Sequence, residues 1–235
     1  MKWNVRDLAD MFDVSENTIA RWVRAEGFPA NNVCGEPRFN VLDVLEWTSA
    51  RQSPVGERFI RSLEAALGET HSLAEALERG GIVQRVTGAD NSAVLHEAIA
   101  ELVLPDALDR TALAQAMLAR KHLGLCLLAD GVAGPCPSAP LVVPGAKPAL
   151  TLYFLQKPLR LDQPRAPPVE AMFLLVSPTV GCHLSLVARL AAAVQDPDFR
   201  DLVKRRHAHD HIFRAAHRLQ PAASSTLFEH AARSD

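Results

Sequence analysis

The chain has little excess charge of either sign. A net charge of −2 at pH 7 and a pI near 6.5 give no global attraction to nucleic acid or to an anionic membrane. Long hydrophobic runs are absent: none approaches the roughly 18 apolar residues of a spanning helix. The first residues, Met1-Lys2-Trp3-Asn4-Val5-Arg6, are polar and lack the apolar segment of a signal peptide. These absences predict a cytoplasmic protein with no membrane partner. Cysteine is sparse. Cys34, Cys126, Cys136 and Cys182 show no CxxC spacing and are expected as thiols, not as a disulfide framework. No P-loop, dinucleotide fingerprint, hydrolase elbow or internal repeat is present, and no cofactor is expected.

What is present is apolar content. Hydrophobic residues make up 48% of the 235 residues, ample for one large core or two modest ones. In the first fifty residues, Asn4 and Asp7 form a capping-box pattern before a helix from Val5 to about Phe12. Asp13-Val14-Ser15 is a turn, and Ser15 caps a second helix running to about Ala25. Ile19, Trp22 and Val23 line its inner face, and Gly27-Phe28-Pro29 stops it. Asn40 and Asp43 repeat the capping pattern before Val41, Val44, Leu45 and Trp47. The three tryptophans, Trp3, Trp22 and Trp47, read as the core of this small module.

Val14, Ser15, Thr18, Ile19, Trp22, Gly27, Phe28, Pro29, Arg38 and Phe39 arrive in the order of a short helix, a second helix, a Gly-Pro stop and a wing. Over residues 3 to 50 the chain resembles the helix-turn-helix of excisionase-like and MerR-like DNA-binding domains. The resemblance implies DNA contacts from Ser15, Asn17, Thr18, Arg21 and Arg24 on the second helix and from Arg38 in the wing. The charge count is adverse. Five basic side chains (Lys2, Arg6, Arg21, Arg24, Arg38) stand against eight acidic ones (Asp7, Asp10, Asp13, Glu16, Glu26, Glu36, Asp43, Glu46), net −3 over residues 1 to 50. One copy would attract phosphates weakly, so a homodimer is expected. A helical module used for protein contact is the alternative.

Pro54 and Gly56 mark a boundary. Helices are predicted over Glu57 to Leu67 (a linker element), near Leu73 to Leu77, from a cap at Asn91 or Ser92, and from Asp109 through the run Thr111 to Leu123. Ile82 to Val86 reads as a strand. Leu150 to Leu155 and Ala171 to Val176 are nearly continuous apolar runs, the pattern of strands covered on both faces. Ser177-Pro178-Thr179 opens a helix from Gly181 to about Val194, and further helical pieces span Asp198 to Arg206 and Asp210 to Leu219. This order predicts an α/β (α+β) chain: a winged head on residues 1–50, a linker helix over 51–71, a sandwich with a mixed sheet flanked by helices over 72–220, and a tail over 221–235.

One stretch organises the second half: Leu123-Gly124, several residues, then Gly131-Val132-Ala133-Gly134-Pro135-Cys136-Pro137. It resembles the active-site loop of phosphotransferase-system IIA domains of the nitrogen-regulatory and mannitol/fructose type. That family's pattern ends Gly-Val/Ile-Ala-x-Pro-His, with the His carrying a phosphoryl group. The resemblance extends from 72 to 220 through Phe173-Leu174-Leu175-Val176-Ser177-Pro178 and His183-Leu184. It implies that Cys136 occupies the acceptor position and that His183 is the second, supporting histidine. Residues 125–130, read as a loop, lack the glycines found there in the family. Ser177, Thr179 and His183, at a helix start, would form an anion pocket.

Three further arrangements stay open at this level. A thiolate at Cys136, activated by His183, could accept phosphate. Cys126, Cys136, Cys182 and His183 could hold zinc or respond to oxidation. His207 and His211, at i and i+4, could bind a metal, although no further ligand is spaced for it and no metal site is expected. The function expected is a DNA-binding transcriptional regulator with a degenerate IIA-like sensor domain, not an enzyme. Its partners would be DNA and phosphotransferase phosphocarrier proteins or a regulated enzyme. The alternatives are a phosphocarrier and a protein-interaction adaptor.

Overall fold

A computed structural model describes residues 2–33, 35–51, 55–161 and 166–219. The linker residues 52–54, Cys34 and the tail 221–235 lie outside the described residues. The N-terminal module begins with β1 (Lys2–Trp3) and α1 (Val5–Phe12). The predicted capping box is formed: the Asn4 side chain accepts from the Asp7 N–H at 2.9 Å, and Asp7 accepts from the Asn4 N–H at 2.9 Å. Asp13 turns the chain in the left-handed region, and Ser15 caps α2 (Glu16–Ala25). The wing is β2 (Asn31–Val33) paired with β3 (Glu36–Asn40), with β1 on the other side of β3. α3 (Val41–Ala50) follows, capped by Asn40. An aromatic cluster fills the centre. Phe28 meets Trp47 edge-on at 4.7 Å, and Trp22 lies 5.6 Å from Trp47.

The body starts after α4 (Glu57–Leu67) with α5 (Leu73–Gly80), β4 (Ile82–Val86), α6 (Asn91–Glu101) and α7 (Arg110–Leu118). Asp90, one residue before the predicted caps, caps α6, and Asp109 caps α7 as expected. α7 stops at Leu118, five residues short of the predicted end at Leu123. Beyond it the backbone makes a left-handed turn in which His122 (φ 51°), Leu123 (φ 61°) and Gly124 (φ 71°) follow one another. Such angles are costly for His and Leu.

Residues 125–130 are not the expected loop. β5 (Leu125–Ala129) pairs antiparallel with β6 (Val132–Pro135), and the hairpin turns at Gly131. The reason is composition: Leu125, Leu128 and Ala129 are apolar and buried, and pairing with β6 satisfies the backbone groups buried with them. β7 (Ala149–Leu159) and β8 (Val169–Val176) complete a mixed sheet in the order β4-β7-β8-β6-β5. α8 (Val180–Gln195), α9 (Pro197–Lys204) and α10 (His209–Arg218) follow.

Alternation along β7 explains the two-sided sheet. Leu150, Leu152 and Phe154 share a core with Leu77 of α5, Leu186 of α8, Phe199 of α9 and Ile212 of α10. Tyr153 and Leu155 share the opposite core with Leu95 and Ile99 of α6 and Met117 of α7. Both faces are covered, so the strand needs no polar face. The hydroxyl of the buried Tyr153 is satisfied by donation to the Ala98 carbonyl at 2.8 Å.

α4 does more than link. Phe59, Ile60 and Leu63 are buried in the N-terminal core, together with Leu184 and Ala188 of α8. Beside them the Glu64 carboxylate takes two bonds of 2.7 Å from Arg189 and one of 2.6 Å from Ser185. Module, α4 and body therefore share one apolar core, and a buried ion pair ties α4 to α8.

Candidate functional site

Cys136 ends the hairpin. Its N–H donates to the Gly124 carbonyl at 3.0 Å, and its sulfur is bonded to Cys126. This corrects the expectation of thiols. Antiparallel pairing sets Cys126 opposite Gly134, so Cys136 arrives two residues further along the partner strand, within reach of a disulfide. The zinc arrangement weighed for Cys126, Cys136, Cys182 and His183 loses both hairpin thiolates. Cys182 is buried and unbonded, its thiol pushed up to about 11 chiefly by burial. Among the described residues no three His, Cys, Asp or Glu side chains gather as a metal set.

His183 reaches the end of the hairpin, where it meets backbone. Its Nε2 lies 2.9 Å from the Cys136 carbonyl. A carbonyl only accepts, so Nε2 carries the proton. The ring is fully buried. Burial pushes its pKa down to about 4, with a smaller push from the Arg120 guanidinium, against the opposing effect of the Cys136 bond. Nδ1 has no partner among the described residues, and neither does Oγ of the buried Ser177. The adjoining cavity, lined by Arg120, Gly124, Pro135, Leu174 and His183, measures about 10 Å³. That is water-sized at most and too small for a phosphoryl group.

The start of α8 carries an anion, but one supplied by the chain. Thr179 caps the helix, accepting from the Cys182 N–H at 2.9 Å. Its hydroxyl also donates to the carboxylate of Glu69, 2.9 and 3.0 Å from the two oxygens. His71 holds Glu69 at 3.0 Å. These groups lower the Glu69 pKa, the His71 bond most, as a helix N-terminus favours a carboxylate. Gly181 makes the seat possible, since a Cβ there would stand 2.8 Å from Glu69 Oε1. Of the expected anion pocket, Thr179 is thus engaged by Glu69, while Ser177 and His183 lie buried on their own partners or none.

The candidate DNA-contact residues sit together on the N-terminal module. Asn17, Arg21 and Arg24 are exposed along α2. The Ser15 hydroxyl is used as the cap, 3.2 Å from the Thr18 N–H and 2.9 Å from the Thr18 hydroxyl. Arg38 in the wing is paired with Glu36 at 2.7 Å. Elsewhere, His207 and His211 lie near-parallel with centroids 6.1 Å apart.

Sequence reasoning missed three residues here. Arg120 holds the segment after Cys136 through the Ala139 carbonyl at 2.9 Å. Glu69 and His71 reach the start of α8 from a connection over a hundred residues earlier in the chain. No local pattern marks any of them. Only the leucines of 125–128, in place of glycines, hinted that the hairpin would exist.

Residues 75–216 match the family described as "Phosphoenolpyruvate-dependent sugar phosphotransferase system, EIIA 2". No curated protein matches the chain. Among solved structures, the nitrogen regulatory protein IIA-Ntr from Neisseria meningitidis is similar, with a TM-score of 0.51 and 22% identity over 61% of this chain and 98% of that one. The mannitol-specific cryptic phosphotransferase enzyme IIA CmtB from Escherichia coli aligns with a TM-score of 0.47 and 14% identity over 63% of this chain and 99% of that one.

Proposed function

Because the chain belongs to the phosphoenolpyruvate-dependent sugar phosphotransferase system EIIA 2 family over residues 75–216, we propose that it is a cytoplasmic DNA-binding regulator whose IIA-like body has lost phosphoryl transfer. The observation that carries the first half is the exposed face of α2. Asn17, Arg21 and Arg24 project from a capped helix that follows a tight turn and precedes a two-stranded wing, an arrangement suited to a major groove. The second half rests on Cys136. It stands at the acceptor position, 9% exposed, with its sulfur bonded to Cys126 and its supporting histidine neutral and buried. The body then serves recognition: a phosphocarrier protein or a regulated enzyme docks on it without receiving phosphate.

The module's net charge of −3 makes a single copy a weak binder. Two copies on a palindrome, with half-sites about one helical turn apart, offset this. Selection of full-length protein from random DNA tests the reading. A palindromic site bound by a dimer is expected, with Arg21→Ala lowering affinity for that site by about 1–3 kcal/mol. A strict monomer with no sequence preference would sink it and leave an interaction adaptor.

A further inference from the structure

We propose that Cys126 and Cys136 are a redox-active pair, opened by a dithiol reductant and closed again by a disulfide oxidant, and that their state controls how firmly the N-terminal module is held on the body. The proposal rests on the cytoplasmic reading above, since disulfides in that compartment are commonly transient and regulatory.

Position carries the argument. Among the described residues β5, which bears Cys126, is an edge strand paired to β6 alone. Its Leu128 occupies the space left by the missing side chain of Gly134 beside Leu190, α8 packs against the strand and donates from Gln195 to the Leu128 carbonyl at 3.1 Å, and α3 of the N-terminal module packs against it too. The strand is therefore part of the floor on which the module sits. The two cysteines are anchored unequally. Cys136 is fixed by its backbone to Gly124 and His183 whatever its sulfur does. Cys126 is half-buried and depends on strand pairing and the disulfide. Just before it come His122 and Leu123 in the left-handed region, a conformation that persists only where the surroundings enforce it. Opening the bond removes one of those constraints at the edge of the sheet, under α3.

The step balances as thiol–disulfide exchange. A thiolate of the dithiol attacks Sγ of Cys126, on the less buried of the two residues, and the Cys126–Cys136 bond breaks. Cys136 leaves as a thiolate and takes a proton from solvent. The second thiol of the reductant attacks the mixed disulfide and leaves as a cyclic disulfide, with Cys126 reduced.

The test uses the full chain and dithiothreitol without denaturant. Free thiols are mapped by differential alkylation and mass spectrometry, and backbone hydrogen exchange is followed in both states. The bond is expected to open in the folded protein, with amides of β5 and α3 exchanging about tenfold faster or more, and to recover with an oxidised dithiol. A Cys126→Ala/Cys136→Ala double variant should show the fast pattern in both conditions; if that variant does not fold, the wild-type comparison decides alone. A pair that stays closed until the protein unfolds, cysteines that never form the bond, or opening that leaves α3 exchange unchanged would each overturn the proposal. None of these readouts involves DNA, so failure here leaves the DNA reading to its own test.

Discussion

His183 donates its Nε2 proton to the carbonyl oxygen of Cys136 at 2.9 Å, so the buried imidazole is tied to the main chain of a residue whose sulfur is held by Cys126. The consequence is a pH signature. The imidazole's folded pKa of about 4 lies below its ordinary 6.5. Between these values the unfolded chain binds a proton that the folded protein refuses, so stability rises with pH across that window and is lost as pH falls through it. At most about 3 kcal/mol is involved. Urea unfolding from pH 4 to 7 should show a steeper loss for wild type than for His183→Gln, which keeps a neutral donor. Parallel curves would mean that His183 takes up its proton equally in the folded and the unfolded chain.

The Glu64–Arg189 pair offers a second check. Both side chains are at most 8% exposed, and removing one leaves the other charged and unpaired in a low-dielectric site. Glu64→Ala should cost about 3–5 kcal/mol by thermal or denaturant unfolding. Replacing both with methionine should cost much less. An inexpensive single substitution would show that water reaches the α4–α8 contact.

Phosphoryl transfer is expected to fail. Incubation with a phosphorylated histidine carrier protein should give no stable label on the oxidised or the reduced chain, because His183 is buried and the cavity beside it is about 10 Å³. Cys136→His alone should not restore labelling, since β5 and β6 hold the residue in a paired hairpin. Stoichiometric label on wild type that vanishes in Cys136→Ser would reverse this.

The N-terminal module should not stand alone. A fragment of residues 1 to 50 lacks Phe59, Ile60, Leu63, Leu184 and Ala188, all buried in its core. Each of the four large side chains removes about 1.5–3 kcal/mol of burial, together comparable to the whole stability of a small domain. Circular dichroism should show a largely unfolded fragment. A cooperative melt in the fragment would show that α4 and α8 are accessory.

Local signals were legible in the chain. Asn4, Ser15 and Asp109 announce their helices because caps act within three residues, and the apolar runs of β7 and β8 announce a covered sheet. The left-handed turn at His122 and Leu123 was not legible, since neither residue prefers that conformation and only tertiary packing imposes it. The hairpin at 125–135 was masked by a family pattern that reads as loop there. The seat of Glu69 on α8, the clamp from Arg120 and the Cys126–Cys136 bond depend on which surfaces meet, and sequence spacing carries no such information. On the N-terminal module, the residue types of α2 could be read directly, whereas the engagement of Arg38 by Glu36 could not.

The shared core between the N-terminal module, α4 and α8 bears on how the chain can be divided. A recombination event in the connection around residues 52–54 would separate the module from the face of α8 that completes it, leaving apolar surface open on both products. Transplanting residues 1–50 onto another body would therefore require carrying Phe59 of α4 and the α8 face of Leu184 and Ala188 with them.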